Sequence, residues 1–219
     1  MKQLEELLGG SFCVVGNSPK EIGSGNGELI DSYDTVIRFK NYDLSGDFGK
    51  DYGTKTTVLV TPFNLTQFYR DPLQYECVCC CIPLDKSRWR RRFPPSNINY
   101  DLLLRYKDAG YLQYIPNDIF TEIWEKYPMG QPSSGITTLW WIHRIIGRKI
   151  PRSDIFGFSM FDPRESHHYY KKHIRHEEDE IDDDTRNFLE AEANKYKLTT
   201  ISVHPRQHEL HFFNECTCE

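Results

Sequence analysis

The chain has 219 residues, a formal charge of −5, 38% hydrophobic and 14% aromatic residues. That length suits one sizeable domain, and the acidic balance argues against a general nucleic-acid binder. No apolar run approaches the roughly 20 residues that cross a bilayer.

Taken in order, the opening MKQLEELLGG is a short amphipathic piece with two glutamates, unlike a signal peptide. Phe12–Val15 has the composition of a buried strand. It stops at Gly16-Asn17-Ser18-Pro19, where glycine permits a tight turn and proline bars further strand. Gly23, Gly25 and Gly27 follow, then a second strand at Thr35–Phe39. A strand that ends in Gly-Asn-Ser with glycines behind it is where an open α/β sheet binds a nucleotide. The string GSGNG lacks the G-x-G-x-x-G order, so on glycine spacing alone a plain turn is the preferred reading over nucleotide binding.

Residues 47 to 55 read as a polar, glycine-punctuated connection. Strands are predicted at Thr56–Val60 and Glu76–Ile82, with a short helix at Leu65–Tyr69 between them. Four of the seven cysteines crowd into Cys77–Cys81. Neighbours so close in one strand are poor disulfide partners, which points to a reducing compartment. Lys86–Arg92 is a basic cluster. Its plain reading is a solvated loop, and its functional reading is a patch for an anionic acceptor or a membrane surface.

A helix over Asn99–Ala109 with Gly110 as its stop, a strand at Tyr111–Ile115 and a helix at Ile119–Tyr127 come next. A turn at Gln131-Pro132 leads into an apolar helix that ends at Gly147. Ser133 or Ser134 caps it, and its first N–H groups suit an ordinary cap and a phosphate or carboxylate site equally. A strand at Asp154–Phe158 and a helix-like run at Ile181–Tyr196 follow. Cys216 and Cys218 sit in what reads as a frayed terminus. Strands alternating with helices predict one α/β domain over residues 1–219, a Rossmann-like α/β/α sandwich with a mostly parallel sheet.

Four stretches together carry a resemblance. VVGNS, then GSGNG, then ELIDSYDTVIR, within residues 12–42, resemble the large sialylmotif of the sialyltransferases, glycosyltransferase family 29. Residues 131–158, with PSSG, an apolar helix and a strand ending Gly157-Phe158, are similar to the small sialylmotif. Within 167–180, HHYY resembles the family's short histidine and aromatic motif, and His176 to Glu180 the H-x-x-x-E motif. The order is also the family's.

This resemblance implies a GT-A variant-like fold and metal-independent transfer of sialic acid, with inversion, from CMP-sialic acid to a glycan or glycolipid hydroxyl. It implies that Gly16, Asn17 and Ser18 hold the cytidine monophosphate. Ser133, Ser134 and Gly135 would hold phosphate and donor carboxylate at the helix start. His176 would be the general base, the right kind of acceptor for a hydroxyl proton near pH 7. Glu180 would orient it, and His168 and Tyr169 would donate to the departing phosphate. His173 satisfies the same pattern through Glu177; His176 is preferred because its glutamate leads into the helix-like run.

The family places asparagine where this chain has Lys40, with Asn41 beside it. Adjacent strand residues face opposite sides, so Asn41 replaces that asparagine only across a bulge. Lys40 would instead pair with donor phosphate or carboxylate. The departure keeps two alternatives open: another nucleotide sugar on the same fold, or a nucleotide-binding protein without transfer activity. His168, His173 and His176 with Asp182–Asp184 match no strong metal signature, nor do His204, His208 and His211, so no metal or cofactor is expected. The sequence fits a compact, unanchored bacterial or viral type of the family. The expected setting is the cytoplasm, with Arg88–Arg92 the candidate for peripheral contact with the inner membrane.

Overall fold

The computed structural model describes residues 2–63, 69–82, 98–126, 133–158 and 205–219. Its first half runs α1 (Leu4–Leu7), β1 (Phe12–Val15), α2 (Gly27–Ser32), β2 (Thr35–Phe39), α3 (Phe48–Tyr52), β3 (Val58–Thr61) and β4 (Cys77–Cys80). The second half runs α4 (Tyr100–Asp108), β5 (Leu112–Tyr114), α5 (Asn117–Lys126), α6 (Ser134–Ile146), β6 (Ile150–Pro151), β7 (Ile155–Phe156), α7 (Pro205–Cys216) and β8 (Thr217–Cys218).

Six strands form one sheet in the order β5-β4-β3-β2-β1-β7, and every pairing in it is parallel. The expected α/β architecture with a parallel sheet is therefore what the chain adopts. β1 to β4 are buried along their whole length. This is why they read as continuous Val, Ile and Cys runs instead of alternating patterns: helices cover both faces. One face packs Val14, Ile37, Val60 and Cys79 against Leu4, Ile119, Trp140 and Phe212 of α1, α5, α6 and α7. The other packs Val15 and Val36 against Ile30 and Tyr52 of α2 and α3, and Leu59 and Val78 against Leu102 and Tyr106 of α4.

Local signals set the helix ends. The Asn99 side chain accepts from the Leu102 N–H at 3.0 Å to open α4. Ser133 caps α6, and left-handed Gly147, at φ 67°, closes it. The strand expected over residues 154–158 shortens to Ile155–Phe156, because Gly157 turns left-handed at φ 65°.

Two expectations fail. The polar connection at residues 47–55 contains a helix, α3, whose Tyr52 is fully buried. The tail is not frayed: α7 packs Phe212 edge-on against Trp140 at 5.0 Å, Cys216 is fully buried, and β8 pairs with β6. Four residues of the helix expected over Leu65–Tyr69, all but Tyr69, lie outside the described residues, as do the basic cluster at 86–92 and the run at 181–196. Among the described residues no helix is long and apolar enough to cross a membrane.

The topology locates a crevice. From β1 the chain steps outward through β2, β3, β4 and β5, then returns to the other side of β1 as β7. The strand order reverses between β1 and β7, and the carboxyl ends of those strands are where such sheets bind ligands.

Candidate active site at the strand-order reversal

At this reversal the two glycine-bearing strand ends are in direct contact. The Gly16 N–H donates to the Phe156 carbonyl at 2.8 Å, and the Ser18 N–H to the Gly157 carbonyl at 2.9 Å. A Cβ on Gly16 would stand 2.4 Å from the Gly157 oxygen, and one on Gly157 would stand 2.4 Å from the Gly16 oxygen. Neither position admits a side chain without moving backbone.

Phe158, the last residue of the second expected motif, lies between Gly16 of the first and Gly135 at the start of α6. A Cβ on Gly16 would meet its ring at 2.9 Å, and a Cβ on Gly135 would meet it at 2.8 Å. The same ring packs edge-on against Phe39 at 6.1 Å. Gly135 is thus required for packing: its missing side chain lets the first turn of α6 close over Phe158.

Polar groups complete the scaffold. Asn17 Nδ2 donates to the Phe39 carbonyl at 3.0 Å, tying the end of β1 to the end of β2. The Ser18 hydroxyl accepts from the Lys20 N–H, and its carbonyl accepts from the buried Tyr52 hydroxyl at 2.6 Å. Glu21, 8% exposed, accepts from the Gly157 N–H and from Asn26 Nδ2, each at 2.9 Å. Nothing in the sequence marked Glu21; a buried carboxylate that holds a strand end is visible only in three dimensions.

Lys40 adopts φ 48°, and its N–H donates to the Val60 carbonyl at 2.9 Å. The bend ends strand alternation at Phe39, so Lys40 and Asn41 are not constrained to opposite faces as strand neighbours would be. The Lys40 charge acts on the buried Cys81 thiol, which burial pushes up to about 11 against the opposing pull of Ser134 and Lys40. The Cys81 thiol also donates to the Ser134 hydroxyl at 3.1 Å. Cys81 therefore links the end of the first motif to the start of the second, a role its cysteine-rich surroundings concealed.

At the start of α6, the Ser133 hydroxyl accepts from the Ile136 N–H at 3.3 Å. The Ser133 N–H donates to the carboxylate of Glu209 on α7, which is 8% exposed. An internal carboxylate therefore already sits against the positive end of this helix. The Ser134 and Gly135 N–H groups remain as first-turn donors with no acceptor among the described residues. Glu209 was missed because its neighbours His208 and His211 draw attention to metal binding. Among the described residues no group of three His, Cys, Asp or Glu side chains could hold a metal ion.

The glycines of GSGNG serve the scaffold. The N–H groups of Gly23 and Gly25 donate to Asp51 at 2.7 and 2.9 Å, and a Cβ on Gly27 would stand 2.3 Å from the Gly49 carbonyl. The motif acids and arginine behave alike. Asp31 accepts from the Thr54 and Lys55 N–H groups, and buried Arg38 donates to the Lys55 and Tyr52 carbonyls. The structure thus brings Gly16, Asn17, Ser18, Lys40, Ser134 and Gly135 to one end of the sheet, with Ser133 capping α6 and Asn41 following the bend. His168, Tyr169, His176 and Glu180 lie outside the described residues.

Residues 11–75 match the model of glycosyltransferase family 29 (sialyltransferase). A sialyltransferase-like protein 2 of Oryza sativa subsp. indica is 40% identical over 68 residues, 30% of this chain and 17% of its own length. A mammalian sialyltransferase crystallised with Gal-beta-1-3GalNAc-ortho-nitrophenol has a similar fold, with a TM-score of 0.51 at 18% identity. That likeness covers 76% of this chain and 62% of the mammalian enzyme. The chain therefore spans less than two thirds of either relative. The family segment ends at the approach to β4, so Cys81, Ser134 and Glu209 enter the site from outside it.

Proposed function

We propose that the protein transfers sialic acid, or a related acidic sugar, from a CMP-linked donor to a glycan hydroxyl. The observation that carries this reading is the meeting of the family segment and the α6 start at the strand-order reversal, through Gly16, Phe158 and Gly135 and through Lys40, Cys81 and Ser134.

In this reading the cytidine monophosphate lies over Gly16, Asn17 and Ser18, and the Ser134 and Gly135 N–H groups face its phosphate. Lys40 pairs with the phosphate or the donor carboxylate, with Asn41 beside it. The acceptor hydroxyl attacks the anomeric carbon and its proton passes to a histidine. The bond from that carbon to the phosphate oxygen breaks, and CMP departs with inverted stereochemistry at the sugar. His176 is the assigned base, Glu180 orients it, and His168 and Tyr169 donate to the departing phosphate. No metal is needed, because fixed donors and one cation receive the leaving charge.

A second assignment of the base rests on Glu209. It reaches the α6 start from α7, whose first residue, Pro205, lies about 6 Å from Glu209 along the helix axis. His204 immediately precedes Pro205 in the chain and is the second candidate for the proton acceptor.

The test is CMP release from CMP-sialic acid, with and without a galactose-terminated acceptor and EDTA, for wild type, His176→Ala and His204→Ala. Acceptor-stimulated release that survives EDTA supports the reaction, and the histidine variant that abolishes it identifies the base. CMP binding without release for any donor would favour a binding protein, for which Lys40 is the motive. Absence of CMP binding would sink the reading.

A further inference from the structure

The start of α6 already holds an anion, and that anion belongs to the protein. The Ser133 N–H donates to the Glu209 carboxylate, which is buried. The helix that carries Glu209 is packed in place. Phe212, three residues on, lies edge-on to Trp140 of α6 at 5.0 Å, and Lys126 of α5 forms an ion pair with Glu215 of α7. A carboxylate held in this way stays beside the neighbouring Ser134 and Gly135 N–H groups, where any ligand anion would have to meet it.

An opposite charge bears on the same helix start from the sheet. Lys40 and Cys81 follow the ends of β2 and β4, and both bond to β3 between them: the Lys40 N–H to the Val60 carbonyl at 2.9 Å, the Cys81 N–H to the Thr61 carbonyl at 3.0 Å. The Cys81 thiol reaches the Ser134 hydroxyl at 3.1 Å, and the Lys40 charge acts on that thiol. The α6 start is thus flanked by one cation and one anion, and it adds about half a positive charge of its own. The fixed charges nearly cancel. Such a balance accepts one negative charge and offers little to a second.

Donor and product differ in that second charge. The phosphate of a CMP-linked sugar is a diester with a single negative charge. When the bond from the anomeric carbon to the phosphate oxygen breaks, its electron pair stays on that oxygen. Free CMP is therefore a monoester, with a charge of about −1.5 to −2 near pH 7. On the reading that the CMP phosphate lies at this helix start, on which this inference rests, we propose that Glu209 sets the specificity of the site for a nucleotide phosphodiester over the free monophosphate, and so hastens the release of CMP after transfer. It does so as a repulsive element, which discriminates by opposing the wrong ligand instead of gripping the right one. The same repulsion acts on the leaving phosphate during the reaction, and Lys40 offsets it.

CMP and its methyl ester on the phosphate are the probes, because they share the nucleoside, differ in charge and lack a sugar carboxylate. Both are titrated by calorimetry into the full chain near pH 7.5, where CMP carries most of its second charge. Wild type is expected to bind the two within about threefold of each other. Glu209→Gln, whose amide oxygen still accepts from the Ser133 N–H, should tighten CMP about ninefold and the methyl ester only about threefold, since the repulsion removed scales with ligand charge. CMP dissociation from the variant, followed by stopped flow, should slow accordingly. A purely structural role for Glu209 would move both ligands alike. Equal gains, no gain, a loss of CMP affinity or unchanged CMP dissociation overturns the role of Glu209 and leaves nucleotide binding standing. So does wild type that binds CMP more than about tenfold tighter than the ester, a result that needs no variant to fold. Failure of both ligands to bind removes the nucleotide reading, and the proposal with it.

Discussion

Gly16 and Gly157 exclude side chains from each other: a Cβ on either would stand 2.4 Å from the other's carbonyl oxygen. The contact joins the ends of β1 and β7 where the sheet reverses its strand order, so it sets the floor of the candidate site. Gly16→Ala should destabilise the fold by about 3 kcal/mol, the upper range for overpacking against an unyielding neighbour. Gly157→Ala should cost about 1–2 kcal/mol more, because φ 65° is also left-handed. Urea titration of both variants measures this, and equal stabilities for Gly157→Ala and wild type would contradict it.

Both halves of this contact were legible in the sequence as strand ends, but their meeting was not. Phe12–Val15 followed by Gly-Asn-Ser is a local pattern, and local patterns set strand composition, turns and helix caps. The strands at Thr35–Phe39 and Cys77–Cys80 and the α4 and α6 boundaries followed from the same reasoning. The partners were out of reach. Glu21 on the Gly157 N–H and Glu209 on the Ser133 N–H join residues 136 and 76 positions apart. α3 was missed because its amphipathic signal is one turn long, where glycine and charge dominate the composition. The tail was misread because terminal position says nothing of burial.

Lys40→Asn separates backbone preference from charge. Asparagine tolerates the left-handed conformation that Lys40 adopts at φ 48°, so the variant should be as stable as wild type or more so, by about 0.5 kcal/mol. Loss of the ammonium whose charge acts on Cys81 should weaken CMP binding about tenfold if Lys40 meets the phosphate. Calorimetry on the pair decides it: unchanged CMP affinity would remove Lys40 from the donor site.

Ser11 and Asp34 predict an acid-sensitive contact. The Ser11 hydroxyl and N–H donate to the Asp34 carboxylate at 2.7 and 2.9 Å, and these bonds hold its pKa below the usual 3.8. A depressed carboxyl contributes stability that is complete above its unfolded value and is lost as pH falls through the folded value. Ser11→Ala should therefore lower the melting temperature at pH 7, and the gap to wild type should narrow as the pH falls well below 3.8, to the remainder due to the lost bond from the Asp34 N–H to the Ser11 hydroxyl. A constant difference across that range would show that the loss is packing alone.

The seven cysteines are all free, and burial sorts their reactivity. Burial pushes the Cys13 and Cys216 thiols up to about 12 and Cys81 up to about 11, so near pH 8 they carry almost no thiolate. Only Cys218 is partly exposed. A thiol-disulfide reagent at pH 8 should modify Cys218 rapidly and the other six only as the protein unfolds. Fast labelling of a second cysteine in the folded protein, abolished by Cys81→Ala, would mean that the end of β4 opens to solvent.

Glu209→Gln probes the carboxylate that occupies the start of α6. The amide oxygen can still accept from the Ser133 N–H, so the contact survives while its charge is removed. Loss of a negative charge at a helix N-terminus should cost about 0.3–1 kcal/mol of stability. The same charge opposes a phosphate at the Ser134 and Gly135 N–H groups, so removing it should tighten CMP binding severalfold even as the fold weakens. The two effects have opposite signs, which a purely structural role for Glu209 does not produce. Weaker CMP binding in Glu209→Gln would instead mean that the carboxylate supports the nucleotide, through its hold on Ser133 or directly on the ribose.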